Sequence, residues 1–262
     1  FYKDKGIKIY YPDYLIALNG VKIYQKKNLP IKKFWKNNEW SGIIKPDWSK
    51  RACYEAFRAT AKKVRFFSDY PAVVDVKYKV SPFHLELVFF YKKLDVIKQV
   101  LEEECQKRNT KVNIIVDYLE KKYVDLALKI LDNIDLRKAN IIRKMLDETG
   151  GVYVMMPCAT SKGEAVDYLR ESIGLSKSDV IAVGDGGNDY HLLTQGFKSI
   201  VLNNAHNTLL RKPIEELPED KKDNIIFVPS EGSKGILEGM ELFLNKPFSH
   251  CGDSGLSSVV NT

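Results

Sequence analysis

The sequence predicts an α/β protein built on a doubly wound, Rossmann-like parallel sheet, with a smaller α/β domain inserted into it. From Glu164 onward, amphipathic helices alternate with short apolar segments, as expected where helices cover both faces of parallel strands. Residues 179–183 are almost continuously apolar and lead into a glycine-rich turn, which is typical of a strand buried on both sides. In the middle of the chain, apolar and polar residues alternate instead, which favours an antiparallel sheet.

The C-terminal part of the chain contains the most regular predicted elements. Residues 164–173 repeat apolar side chains at helical spacing, and Gly174 then favours a helix C-cap. The further predictions are strands at 152–156, 179–183, 199–202 and 225–228, and helical segments at 188–195, 207–210 and 234–244. Residues 249–262 are rich in Ser and Gly, and we expect a disordered tail there.

The middle of the chain predicts a second, smaller α/β unit. Its predicted elements are helices at 48–63, 94–108 and 135–148 and strands at 73–80, 82–91, 112–116 and 123–127. We therefore assign residues 1–24 and 148–248 to a core domain and residues 25–147 to an inserted α/β cap domain.

Composition excludes several classes of protein. The 262 residues are 44% hydrophobic, which is enough for a sizeable core, yet no segment approaches the roughly 18 apolar residues of a membrane helix. The net charge of +7 comes from lysine pairs scattered along the chain, so a nucleic-acid surface is not indicated. Four widely spaced cysteines without a C-x-x-C pair favour reduced thiols. We expect a cytoplasmic protein that binds neither nucleic acid nor a membrane.

The main candidate for chemistry is the acidic turn (residues 184–189), which reads Gly184-Asp185-Gly186-Gly187-Asn188-Asp189. The preceding apolar strand delivers this turn to the carboxyl edge of the sheet, where open α/β folds bind ligands. Asp185 and Asp189 could converge there on a hard cation such as Mg²⁺, with Asn188 orienting either carboxylate. The alternative is a structural turn in which Asn188 or Asp189 caps the next helix.

Lys162 strengthens the functional interpretation. It lies between the predicted strand 152–156 and the predicted helix 164–173, so it too belongs to an edge of a sheet. A lysine placed there can neutralise phosphate charge and hold a carboxylate nearby. A single lysine would ordinarily be a solvated surface residue. Its position one helix and one strand before Asp185 favours a shared site.

With these residues in view, the chain resembles the haloacid-dehalogenase-like hydrolases, in particular the sucrose-phosphate phosphatase branch. Five motifs carry the resemblance in chain order, and they cover both ends of the chain better than its middle. They are residues 12–24 at the start of the cap, Met155-Met156-Pro157 with Ser161-Lys162-Gly163, the acidic turn, Asn204-Ala205, and Ser233-Lys234-Gly235-Ile236-Leu237 at the start of the final helix.

The resemblance implies a Mg²⁺-dependent sugar-phosphate phosphatase that works through an aspartyl-phosphate. Asp185 would ligate Mg²⁺, and Asp189 would support the metal directly or through water. Lys162 would be the catalytic lysine that binds phosphate and the nucleophile. Asn188 and Asn204 are the implied substrate-binding residues. The substrate would be a phosphorylated sugar such as sucrose 6-phosphate, with the cap contacting the sugar.

One departure from the family pattern is serious. The family's nucleophile lies in a D-x-D-x-T motif that ends the central strand, and no D-x-D occurs in the 262 residues. The start of the cap is reached only about a dozen residues after Phe1, which is not a methionine. We favour a fragment of a working phosphatase, and the alternative is a non-catalytic binding or regulatory module, such as one attached to a sucrose-synthesising glycosyltransferase. In either case we expect little or no activity from this chain, and self-association through unpaired sheet edges.

Aromatic residues near the start of the predicted cap have two interpretations. Trp35, Trp40 and Trp48 could stack on a sugar ring, although packing between cap and core is favoured. His84 lies in an alternating segment and could point into a sugar pocket, although a surface or hydrogen-bonded histidine is favoured.

Overall fold

The structure is a computed structural model, and it describes residues 12–27, 33–44, 46–64, 73–81, 84–90, 94–121, 140, 143–144, 147 and 151–244. Several predictions lie outside these residues: the strand at 123–127, the tail at 249–262, and the side chains of Trp35 and His84. Of the predicted helix at 135–148, the described residues are Asn140, Arg143, Lys144 and Asp147, and all four are helical. Within the described ranges, no helix is both long enough and apolar enough to span a membrane.

The described chain forms three sheets. The first is antiparallel, with the order β1 (Tyr14–Ala17), β2 (Lys22–Lys27) and β3 (Lys33–Lys36). The second is antiparallel, with the order β4 (Val73–Ser81), β5 (His84–Phe90), β7 (Gly151–Cys158) and β6 (Asn113–Glu120). The third is parallel, with the order β10 (Ile225–Phe227), β9 (Lys198–Val201) and β8 (Ile181–Gly184). The predicted α/β fold with a parallel sheet is confirmed, and the antiparallel pairing expected for the middle of the chain is also present.

Helices accompany these sheets in the predicted alternation. They are α1 (Asn38–Ile43), α2 (Lys50–Val64), α3 (Leu94–Gln106), α4 (Lys162–Ser172), α5 (Tyr190–Leu193), α6 (Lys212–Glu215), α7 (Glu219–Lys222) and α8 (Gly232–Leu244). The segment predicted as one helix at 188–195 is instead a 3₁₀ turn, Gly187–Asp189, followed by the short α5. The predicted helical turn at 207–210 is a π-helical turn, Asn207–Arg211.

β7 occupies a position that the sequence did not indicate. We predicted that residues 148–248 form part of the core, but β7 pairs along its length with β6, from Asn113↔Cys158 to Glu120↔Gly151. The strand that precedes Lys162 therefore belongs by its hydrogen bonding to the antiparallel sheet. Apolar periodicity alone cannot distinguish a central antiparallel strand from a parallel one, because both are buried on two faces. The division into core and cap remains a prediction.

Two cores hold the elements that matter for the site. Ile97, Leu101 and Ile114 are buried in the first core, which joins α2 and α3 to the antiparallel sheet. Cys53, Cys105 and Cys158 are buried free thiols in or beside this core. The second core packs Phe197 and Leu193 against β8 and β9. Burying each such side chain contributes about 1.5–3 kcal/mol to the free energy of unfolding. The two cores therefore stabilise both sheets beside the acidic turn.

Trp40 and Trp48 are packing residues, as the sequence favoured. Trp40 is 3% exposed, stacks at 4.9 Å on the ring of Tyr168 of α4, and donates its indole N–H to the carbonyl of Gly20 at 2.8 Å. Gly20 has a φ of 97° and lies so close to the carbonyl of Ser161 that a Cβ would overlap it. The β1–β2 hairpin therefore packs closely against the loop that precedes Lys162. Trp48 is 9% exposed and lies in the first core.

Candidate active site

Lys162 is positioned by the sharp transition from β7 to α4. Ser161 is the N-cap: its hydroxyl accepts from the amide of Glu164 at 3.2 Å, and the Glu164 carboxylate accepts from the amide of Ser161 at 2.9 Å. This capping box satisfies two amides at the start of α4. Asn113 of β6 donates to the same carboxylate at 3.0 Å, so the antiparallel sheet and the helix start are tied together. Lys162 is consequently the first residue of a well-fixed helix.

The structure brings Lys162 and Asp189 together across 27 residues of sequence. Lys162 Nζ lies 2.6 Å from Asp189 Oδ1, and the lysine side chain remains 29% exposed. Asp189 is 8% exposed, and its Oδ2 accepts from the amides of Asp185 and Gly186 at 3.2 Å each. Both oxygens of Asp189 are therefore engaged. A buried carboxylate with a cationic partner and two amide donors fixes the shape of the acidic turn.

Asp185 presents its carboxylate to solvent at the carboxyl end of β8. Asn204, which follows β9, donates from Nδ2 to Asp185 Oδ2 at 2.7 Å. The His206 amide donates to the Asp185 carbonyl at 3.0 Å, which also holds the loop after β9 against the acidic turn. The structure thus places Asn204 beside the carboxylate rather than apart from it. These residues meet because the neighbouring parallel strands β8 and β9 end at the same edge of the sheet.

The position of Asn188 gives less support to its predicted role in the site. It is half-buried in the 3₁₀ turn, and within the described part of the chain it makes no hydrogen bond to Asp185 or Asp189. Its Oδ1 lies 2.9 Å from the point where a Cβ on Gly186 would stand. The predicted role of Asn188 in orienting a carboxylate is therefore not seen in this structure. Its assignment to substrate binding remains a prediction.

The donor set is compatible with one Mg²⁺ ion. Mg²⁺ characteristically takes one or two carboxylates and keeps waters or substrate phosphate as its other ligands. Asp185 offers an exposed carboxylate held in place by Asn204, whereas Asp189 is committed to Lys162 and two amides. This favours Asp185 as the direct ligand and Asp189 as indirect support. Among the described residues, no cluster of three or more His, Cys, Asp or Glu side chains could hold a metal ion by itself.

Asp117 of β6 is a site residue that the sequence analysis passed over. Its Oδ1 accepts from the amide of Tyr118 at 2.9 Å and lies 3.3 Å from the Cβ position of Gly186. Burial, with the nearby Asp189 charge as a smaller contribution, raises the pKa of Asp117. The available signal was a lone carboxylate directly after the apolar run Ile114-Ile115-Val116.

Aromatic rings line the other side of the same junction. Tyr118 and Tyr153 are directly paired across β6 and β7, with ring centroids 5.3 Å apart. His206 lies 4.9 Å from Tyr118, and its Nδ1 accepts from the amide of Leu209 at 3.2 Å. Burial lowers the pKa of His206, which matches its role as a neutral acceptor. These rings attach the antiparallel sheet to the loop after β9.

Comparison with known proteins is consistent with this architecture. The profile of the family described as "Sucrose-6F-phosphate phosphohydrolase" matches residues 127–244. The sucrose-phosphatase of Synechocystis sp. PCC6803, solved with sucrose and phosphate, superposes with a TM-score of 0.61 at 18% identity, covering 92% of this chain and 78% of that one.

Two further relatives are similar over shorter stretches. A putative HAD-like hydrolase of Nitrosococcus oceani is 29% identical over 107 residues, which are 37% of this chain and 29% of the relative. An uncharacterized protein of Geobacillus stearothermophilus is 34% identical over 68 residues, which are 24% of this chain and 72% of the relative. The matched stretch therefore spans less than a third of the Nitrosococcus protein.

Fold, profile and relatives together define the class: the chain belongs to the haloacid-dehalogenase-like hydrolase superfamily. Within that superfamily, the matched profile places it in the sucrose-phosphate phosphatase-like branch. The recognition made from the five sequence motifs is confirmed.

Proposed function

We propose that this chain provides the phosphate- and metal-binding half of a Mg²⁺-dependent sugar-phosphate phosphohydrolase of the cytoplasm. The supporting observation is the ion pair between Lys162 and Asp189 at 2.6 Å, beside the exposed carboxylate of Asp185. A cation and a carboxylate are thereby presented together at the carboxyl edge of a parallel sheet. The substrate that we propose is sucrose 6-phosphate, in keeping with the description of the matched family and with the sucrose and phosphate bound to the Synechocystis enzyme.

Each residue has a distinct role in this proposal. Lys162 neutralises a phosphoryl oxygen, and Asp189 holds the ammonium group in place by accepting from it. Asp185 ligates Mg²⁺, and Asn204 keeps the Asp185 carboxylate in the required orientation. When bound, Mg²⁺ supplies positive charge that offsets the charge developing on the transferred phosphoryl group.

The D-x-D motif that carries the nucleophile in the resembled family does not occur in the sequence. We propose that the chain is part of a working phosphatase whose nucleophile lies on additional sequence. The second candidate function is a non-catalytic module that binds a phosphorylated sugar, for example beside a sucrose-synthesising glycosyltransferase. The missing motif favours this alternative, whereas the retained Lys162, Asp185 and Asn204 favour the first.

Calorimetric titration of inorganic phosphate in the presence of Mg²⁺ tests the proposed site. We expect Lys162→Met and Asp185→Asn each to weaken phosphate binding at least about tenfold, because each removes a charged partner of the phosphoryl group or its metal. The matched control is Lys62→Met, at an exposed lysine of α2, which should bind phosphate like the wild type. Equal affinity of the Lys162 and Lys62 variants would rule out the proposed role of Lys162.

A further inference from the structure

We infer that Asp117 restricts this site to monophosphate esters whose leaving group is an uncharged polyhydroxyl compound, and that it disfavours leaving groups carrying a second phosphate. The inference rests on the proposed function, because it concerns the part of the substrate next to the phosphoryl group. It assigns a specificity role to a residue of the antiparallel sheet.

The position of Asp117 follows from close contact between β6 and the acidic turn. The carbonyl of Val116 lies so near Gly187 that any Cβ there would overlap it, and Asp117 Oδ1 stands 3.3 Å from the Cβ position of Gly186. Two consecutive glycines therefore allow the edge of β6 to lie directly against the turn. The carboxylate of Asp117 is brought to the Lys162–Asp189 pair from a different sheet.

The orientation of the Asp117 carboxylate is also fixed. Its Oδ1 accepts from the amide of Tyr118 at 2.9 Å. The residue is half-buried and interacts electrostatically with both the negative charge of Asp189 and the positive charge of Lys162. A carboxylate held this way has little freedom to turn away from an incoming ligand.

The charge balance selects the chemistry of the ligand. Asp117, Asp185 and Asp189 contribute three negative charges, against one positive charge from Lys162. A phosphoryl dianion arriving with one Mg²⁺ leaves this balance unchanged, so these four described side chains together present a net negative charge to the leaving group. Carboxylates accept hydrogen bonds from hydroxyl groups and repel a second phosphate at short range. A neutral sugar fits these conditions, whereas a bisphosphate does not.

The test compares two probes, fructose 6-phosphate and fructose 1,6-bisphosphate, titrated by calorimetry into the whole chain at constant free Mg²⁺. Wild type should prefer the monophosphate. Asp117→Asn should raise the affinity for the bisphosphate relative to the monophosphate by about tenfold, since it removes one repulsive charge at a half-buried position. The matched control is Glu120→Gln, which removes a charge from an exposed position of the same strand and should leave the ratio unchanged.

The outcomes separate the two proposals. If the wild type binds no inorganic phosphate, the proposed function fails. If phosphate binds but Asp117→Asn leaves the ratio unchanged, or shifts it no more than Glu120→Gln does, the role of Asp117 alone is wrong. Should Asp117→Asn fold poorly, a salt titration of the wild type tests the charge repulsion on which the inference depends. Added salt must reduce the preference for the monophosphate if charge repulsion is its origin, and an unchanged preference overturns the inference.

Discussion

At the scale of single residues, Gly187 controls how closely the two sheets approach each other. A Cβ at this position would overlap the carbonyl of Val116 and touch Leu209. We therefore expect Gly187→Ala to lower the free energy of unfolding by about 1–3 kcal/mol, the usual cost of overpacking, and to weaken phosphate binding by displacing the acidic turn. Chemical denaturation and phosphate titration measure the two effects.

Gly42 of α1 offers the matched control for this substitution. A Cβ there meets nothing within 4 Å, and the residue is exposed in a helix. Gly42→Ala should therefore stabilise the protein by up to about 1 kcal/mol through helix propensity. If both alanine variants were equally stable, the close approach of β6 to the acidic turn would not exist in solution.

Some residues of the site could be predicted from sequence, and others could not. Asp185 and Asp189 follow the apolar strand β8 at the carboxyl edge of the parallel sheet, where open α/β folds bind ligands. Lys162 was predicted to share this site, although the strand before it belongs to the antiparallel sheet. Asp117 could not be predicted in the same way, because its position depends on how the edge of one sheet docks on the loop of another. No local sequence pattern predicts that contact between the two sheets. The adjacent glycines Gly186 and Gly187, which permit the close approach, are the related feature of the sequence.

At the scale of elements, α2 and α3 are clamped together by a buried carboxylate. Glu104 of α3 is 4% exposed and accepts from Lys63 of α2 at 2.5 Å, from Lys107 at 2.9 Å and from Arg108 at 2.7 Å. These three hydrogen-bonded cations lower the pKa of Glu104 to about 2. The clamp lies beside the first core and fixes the helices that support the antiparallel sheet.

We expect Glu104→Gln to lower the free energy of unfolding by about 1–3 kcal/mol near neutral pH, between the values for exposed and buried ion pairs. The pKa of Glu104 is lowered in the folded state from an ordinary 4.5, so its contribution is present above that value and is lost as the pH falls toward about 2. The difference between wild type and variant should therefore shrink across this acidic range. Urea denaturation at several pH values measures it.

The neighbouring Glu103 provides the comparison for this prediction. It is exposed, and its carboxylate accepts from Gln99 of its own helix at 3.1 Å. Glu103→Gln should change stability by less than about 0.5 kcal/mol at any pH, as is usual for surface substitutions. A pH dependence shared by both variants would assign the effect to net charge rather than to the clamp.

At the scale of elements, the prediction of helix and strand type also succeeded better than the prediction of sheet membership. The elements α2, α3, β8 and β10 were each predicted from periodicity within a few residues of their observed bounds. Periodicity reports which face of an element is buried but not which strands are its neighbours. That is why β7 was predicted as a core strand and is observed between β5 and β6.

At the scale of the whole molecule, the given sequence contains the proposed phosphate and metal site but no D-x-D motif. We expect no Mg²⁺-dependent release of phosphate from sucrose 6-phosphate above background, because no carboxylate of a D-x-D motif is available to attack phosphorus. A colorimetric phosphate assay measures this. Release that requires Mg²⁺ and is abolished by Asp185→Ala would show that another residue of this chain serves as the nucleophile.

Self-association also remains a prediction at this scale. Within the ranges that the structure describes, β8 pairs with β9 and forms one end of the parallel sheet. An open edge of this kind favours pairing with a further strand.

The path of β7 has a mechanical consequence. β7 ends at Cys158 and α4 begins at Lys162, so Ala159, Thr160 and Ser161 form the whole connection between the antiparallel sheet and the lysine. We therefore expect an anion bound at the ammonium group and a sugar bound against that sheet to influence each other's binding. By thermodynamic reciprocity, if the bound anion raises the affinity for the sugar, the sugar must raise the affinity for the anion by the same factor. This short segment would thus couple binding of the phosphate end of a ligand to binding of its sugar end.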